Sequence, residues 1–241
     1  MTRPLMNPPL RAKRSNPGAS RSALDCFVAA LLAMTRSLVC LGFLVLGVGA
    51  AQAHPHVWIT ATSELVYGPD GSFTGVRHAW TFDDMFTTYA LQGLETKTKG
   101  VYTREELAPL ALTNIESLKD FAFFTFAKAN GKKAKFVQPT EYYLEYKDTT
   151  LTLHFVLPLK TPVKSTDLTV EVFDPTYFID FSFAKTNPVK LVGAPAGCQM
   201  NFERPNDGTA QTQQMSEQNF LSGNNSNYGA MFANKITVHC P

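Results

Sequence analysis

The sequence predicts a mainly β domain, antiparallel and sandwich-like, with one α-helical insertion, α+β overall. Three observations predict it. Apolar residues alternate with period two at Val57, Ile59, Ala61 and Leu65, at Leu168, Val170 and Val172, and at Ile179, Phe181 and Phe183. Turn signals such as Gly68-Pro69-Asp70-Gly71 separate the alternating runs. Between residues 84 and 129 the pattern turns helical, with Leu107, Leu110, Ala111, Ile115 and Leu118 on one face.

The chain has 241 residues. Residues 1–53 read as a leader. Met34-Thr35-Arg36, the apolar run Leu38 to Val48 and the small-residue pattern Ala51-Gln52-Ala53 form a complete signal peptide. Residues 1–33, rich in proline and basic residues without an amphipathic period, read as a mis-called extension. Cleavage after Ala53 makes His54 the first residue of one periplasmic domain, 54–241. The apolar run is shorter than the roughly 20 residues of a membrane-spanning helix, and no other stretch qualifies, so no transmembrane segment is expected in the mature chain. Six of the 22 Lys+Arg and one of the 20 Asp+Glu precede His54, leaving 16 basic and 19 acidic residues, a net of −3. That balance gives no basic footprint for nucleic acid.

The first hairpin runs through 56–83. With its turn centred between Pro69 and Asp70, Ile59 faces Trp80, Val57 faces Phe82 and His56 faces Asp83; a bulge would bring in Asp84 instead. In the same register His78 sits on the apolar side opposite Ala61, as a hydrogen-bonded core histidine. The insertion follows at about 84–129. Glu95 to Glu106 has the length and the central Gly100 of an EF-hand loop, but Lys97 and Lys99 stand where calcium needs carboxylates, so no calcium binding is expected. Thr103 and Glu106 form a capping box for the helix beyond. Phe121, Phe123, Phe124 and Phe126 read as core.

Residues Glu141 to Tyr146 and Leu151 to Leu157 read as a second hairpin, with His154 structural. Asp174-Pro175 marks a bend at a strand end, where Asp174 is either an Asx-turn carboxylate or a ligand. Residues 206–227, rich in Asn, Gln, Ser and Gly, read as a long surface loop with a short helix near Gln214 to Leu221. Ile236 to Cys240 is the last strand. Cys198 and Cys240 follow the leader as an even pair in an exported chain and are expected to form a disulfide.

The chemistry concentrates at the start of the mature chain. An N-terminal His54 offers an α-amine and an imidazole, and His56 a second imidazole. Such donors suit zinc, nickel, cobalt and copper. Pro55 has no amide hydrogen, which blocks the square-planar mode that uses deprotonated backbone amides. The binding set is therefore His54 and His56 with a carboxylate from Asp83 or Asp84, and with Asp174 and Tyr177 as further candidates. No phosphate-binding glycine loop or serine nucleophile elbow is present, and no enzyme activity is expected.

The segments H-P-H-V-W-I, W-T-F-D-D-M-F, R-E-E-L-A-P-L and F-D-P-T-Y-F, with the late cysteine pair, resemble a bacterial periplasmic family of unknown function (domain of unknown function 1007). The resemblance implies the periplasmic component of an uncharacterised transport system, of ABC or nickel/cobalt type, with an inner-membrane permease as partner. Residues and resemblance together lead to one expectation, a periplasmic zinc-, nickel- or cobalt-binding protein that sequesters metal or delivers it to a transporter. The alternatives are a copper redox enzyme built on an N-terminal histidine and a metal-free accessory subunit.

Overall fold

The computed structural model describes residues 55–205 and 228–241. The chain divides into two units, Met1–Gln52 and Ala53–Pro241, and every described residue belongs to the second. The leader, the cut after Ala53, His54 and the helix expected near Gln214 to Leu221 lie outside the described residues.

The alternating stretches form the expected strands. β1 (Val57–Tyr67) and β2 (Phe73–Phe82) make the first hairpin, and β5 (Tyr142–Lys147) and β6 (Thr150–Val163) the second. One sheet runs in the order β5-β6-β2-β1-β8, with β8 at Ile179–Phe183; β9 (Val189–Val192) continues along the same edge of β1. The second sheet runs β10-β11-β7-β3-β4, from β3 (Thr125–Ala129), β4 (Lys132–Ala134), β7 (Asp167–Val172), β10 (Gln199–Glu203) and β11 (Asn234–His239). Their inward faces share one core, seen in the Phe124–Phe181 and Phe183–Phe202 ring contacts at 5.6 and 5.1 Å. The pairing is mainly antiparallel, as expected, and the first sheet is mixed. β8 and β9 run parallel to β1, because the chain crosses over from the other sheet before it reaches them.

The β1–β2 register also differs from the one read off the sequence. Ile59 pairs with Phe82 and Ala61 with Trp80. Two small effects add up. Asp70 accepts from the backbone and hydroxyl of Ser72, and Gly68 donates to the Ser72 carbonyl, which centres the turn on Asp70 itself. A bulge between Val66 and Tyr67 then adds a second offset. His56 therefore does not face Asp83; Trp58 does.

His78 is buried as expected, but opposite Ser63 instead of Ala61. Its Nδ1 lies 2.9 Å from Ser63 Oγ and its Nε2 3.2 Å from Thr125 Oγ1. Thr125 already donates its hydroxyl hydrogen to the Phe123 carbonyl, so it accepts from Nε2–H, and Ser63 donates to Nδ1. This neutral tautomer joins β1 and β2 to the opposite sheet with every hydrogen bond satisfied.

The insertion is helical only in part. α1 (Asp84–Ala90) and α2 (Arg104–Lys119) are followed by a 3₁₀ turn at Ala122–Phe124 and then by β3. The α2 capping box forms as read, with Thr103 Oγ1 accepting from Glu106 N and Glu106 accepting from Thr103 N. Leu107, Ala111 and Ile115 supply its buried stripe, and Tyr102 beside its start meets Tyr146 of β5 edge to face. In the calcium-loop-like segment Glu106 also accepts from Lys97 N at 2.8 Å, so the carboxylate at the last ligand position is engaged with backbone. Of the aromatic cluster, Phe123 and Phe124 are buried while Phe121 is exposed. His154 stacks on Tyr143 at 4.5 Å on the outer face. Cys198 and Cys240 form a disulfide with Cα atoms 4.1 Å apart. Among the described residues no helix is long and apolar enough to cross a membrane.

Candidate functional site at the start of the first strand

The site is built where β1 begins. The His56 N–H donates to the Phe178 carbonyl at 2.9 Å, which ties the chain just before β1 to the chain just before β8. The His56 ring is exposed and lies 4.9 Å from the Phe178 ring. One step along the parallel ladder, Trp58 pairs with Asp180. Alternation then puts His56 and Trp58 on the outer face of β1, and Asp180 on the same face of β8, since Val57, Ile59, Phe181 and Phe183 point inward. Diagonal neighbours in a sheet stand about 7–8 Å apart, within the span of a cation held by an imidazole and a carboxylate.

The two aspartates after β2 are placed differently from each other. Asp83 caps α1: Oδ1 accepts from Phe86 N and Oδ2 from Trp58 N, both at 2.9 Å, and its own N–H returns a bond to the Trp58 carbonyl. Both oxygens hold β1 to the helix that follows β2. Asp84 occupies the exposed first turn of α1, where a carboxylate is favoured by the helix dipole.

Asp174 is buried, 3 % exposed. Oδ1 accepts from the N–H and hydroxyl of Thr176, and Oδ2 from Ile179 N at 3.0 Å. This is the Asx turn that the sequence left as one of two readings. It aims the chain into β8 and holds Tyr177 at φ 58°, in the left-handed region. Gly229 packs so closely on this turn that a Cβ there would meet the Asp174 carbonyl oxygen at 1.6 Å. Tyr177 stacks on Phe232 at 4.0 Å, and its phenol is pushed up first by burial and then by the Asp180 and Tyr228 charges.

Asp180 was missed by sequence reasoning. Its carboxyl is held above the ordinary carboxylate range by burial, and it has no hydrogen bond or ion pair to another described residue. The signal was present: if Ile179, Phe181 and Phe183 face inward, Asp180 faces out. The parallel pairing that sets it beside Trp58 was not visible. Among the described residues no three His, Cys, Asp or Glu side chains converge as a ready metal site. On this face the ladder sets His56 and Asp180 as diagonal neighbours, one imidazole and one carboxylate.

The family described as "Protein of unknown function (DUF1007)" matches residues 39–240. An uncharacterised protein of Haemophilus influenzae is 26 % identical over 193 residues, 78 % of this chain and 91 % of its own length. An uncharacterised 15.5 kDa protein from the trpE 3′ region of Spirochaeta aurantia is 31 % identical over 93 residues, 38 % of this chain and 66 % of its own.

Proposed function

We propose that this chain, which belongs to the DUF1007 family, is a periplasmic protein that binds a divalent transition metal at its processed N-terminus and delivers it to a membrane transporter. The observation that supports the reading is the anchoring of His56. Its backbone is hydrogen-bonded to Phe178, so the segment carrying the N-terminal donors starts from a fixed point, while its ring is exposed on the outer face. Removal of residues 1–53 would add the His54 amine and imidazole two residues away. The cargo is zinc, nickel or cobalt. These take mixed nitrogen and oxygen ligands in tetrahedral or higher coordination, and Pro55 blocks the backbone-amide mode that copper favours. Amine and imidazole bind metal only when deprotonated, so affinity falls on acidification and cargo is released more readily at low pH. The transporter rests on the resemblance described above.

The test is chain exported by its native host, with its N-terminus read by mass spectrometry, titrated calorimetrically with Zn²⁺, Ni²⁺ and Co²⁺. His56→Ala and a form carrying one extra residue before His54 should each bind at least tenfold more weakly. If both bind as tightly as the parent, the N-terminal site does not exist.

A further inference from the structure

We propose that β10 is an association edge, and that a second copy of this chain pairs with it strand to strand, antiparallel, about a two-fold axis at Asn201. The basis is how the ends of the two sheets are treated. An unpaired strand edge offers N–H and C=O groups to any passing strand, and folded chains cover it, shorten it or charge it. Among the described residues every sheet edge but one is handled in one of these ways. β4 is three residues long and carries Lys132 and Lys133. β9 is four residues long and carries Lys190. At β5, Tyr143 and Tyr146 point to opposite faces. The chain entering α2 touches both, with Tyr102 against Tyr146 and Arg104 over the Tyr143 ring, and so lies across that edge. On β8 the Ile179 N–H donates to Asp174 Oδ2, and the Phe181 carbonyl accepts from Asn234 Nδ2. β10 is the exception. It pairs with β11 on one side and with no described strand on the other. It holds no lysine or proline, and all its residues but Phe202 are exposed.

The residues of the edge select the occupant. With the axis at Asn201, Gln199 stands opposite the partner's Glu203, Met200 opposite the partner's Phe202, and Asn201 opposite the partner's Asn201. These are an amide facing a carboxylate, a thioether facing an aromatic ring and an amide facing an amide, all compatible cross-strand pairs. This register pairs all five residues of the strand. It also holds the two carboxylates at opposite ends of the ladder. Sliding the strands toward Glu203 would bring them together, which like charges resist. Each Glu203 is further balanced by its own Lys235 at 3.9 Å. Met200 is 37 % exposed and lies on the same face as Phe202, whose ring packs on Phe183. Pairing therefore covers an apolar side chain that otherwise meets water, and joins the five-stranded sheets of two copies into one. So short a strand makes a small contact, and the association is correspondingly weak and reversible.

The test is sedimentation equilibrium of chain purified from its native host, over a wide range of concentration, with oxidative crosslinking beside it. The parent should form a dimer. Met200→Lys, which sets a charge against the partner's Phe202, should raise the dissociation constant at least tenfold without lowering the thermal midpoint. Residues directly opposed in an antiparallel pair have Cα atoms about 4.5–5.5 Å apart, within disulfide reach. Asn201→Cys should therefore give a covalent dimer under mild oxidant. Gln199→Cys, also exposed but standing opposite the partner's Glu203, should not. A parent that stays monomeric throughout overturns the proposal. So does a dimer that Met200→Lys leaves equally tight, or one that crosslinks as well through Gln199→Cys as through Asn201→Cys.

Discussion

Acidification should destabilise this domain through His78, and the size of the effect can be worked out. The ring is buried between the two sheets and faces Ser63, Thr125, Trp80 and Phe155, none of them charged. Burial pushes its pKa down to about 3 from an ordinary 6.5. In the unfolded chain the imidazole takes up a proton below 6.5, while in the native state it stays neutral. Stability is therefore fully present above pH 6.5 and is lost as pH falls from there toward 3. At pH 5 the unfolded ring lies 1.5 pH units below its ordinary value, so the loss attributable to His78 is about 2 kcal/mol at about 1.4 kcal/mol per unit. Urea unfolding at pH 7.5 and pH 5 measures it. His78→Gln should start less stable, since it disturbs a satisfied core, but should lose about 2 kcal/mol less than the parent over this interval. Carboxylates elsewhere contribute to both proteins and cancel. An equal loss in parent and variant would refute the reasoning. So would an NMR titration of the folded parent in which the His78 ring protonates above pH 5.

Breaking the Cys198–Cys240 bond, which spans a sequence separation of 42, should cost roughly 3–4 kcal/mol in the loop-entropy account; Cys198→Ser with Cys240→Ser in urea unfolding checks it. Gly229→Ala should be among the most damaging single-methyl additions, because its Cβ would overlap the Asp174 carbonyl oxygen. The loss should appear as a thermal midpoint several degrees lower. Tyr67→Phe should do the opposite. The Tyr67 hydroxyl is buried with no hydrogen-bond partner among the described residues, so its removal should leave stability equal or up to about 1 kcal/mol higher in chemical denaturation.

Much of the fold was legible because it depends on local chemistry. The two hairpins follow from period-two alternation and turn residues, the start of α2 from Thr103 and Glu106, and the disulfide from an even cysteine pair in a chain read as exported. His78 was legible as a core histidine because its parity on β2 is that of Val76, Trp80 and Phe82. What could not be read was set at a distance or by a single extra residue. The bulge, which leaves Thr74 as the extra residue between Phe73 and Gly75, added to the offset of the turn and moved every pair from Val66 back to Ile59. The run from Phe121 to Ala129 has no turn residue, so a helix reading continued through it. The chain instead breaks at three successive residues with positive φ, Ala122, Phe123 and Phe124, and enters β3. The candidate site suffered most, since its face is made by a parallel pairing. Asp180 has no sequence neighbour that points to His56; only the ladder between β1 and β8 does.

That ladder has a kinetic side. β1 pairs along one edge with β2, a partner that follows at once in the chain, and along the other with β8 and β9, which arrive more than a hundred residues later. Hairpin closure takes microseconds, whereas contacts so far apart in sequence must wait on a large loss of chain entropy. Until β8 and β9 settle, β1 presents an open row of amides and carbonyls beside an apolar face, the arrangement that templates strand addition by another molecule. The slow step of folding and the main opportunity for aggregation are thus the same event, the closing of one strand edge. Substitutions that weaken the Asp174 turn or its Gly229 brace delay that closure, and should show themselves as lost yield before they show as lost stability.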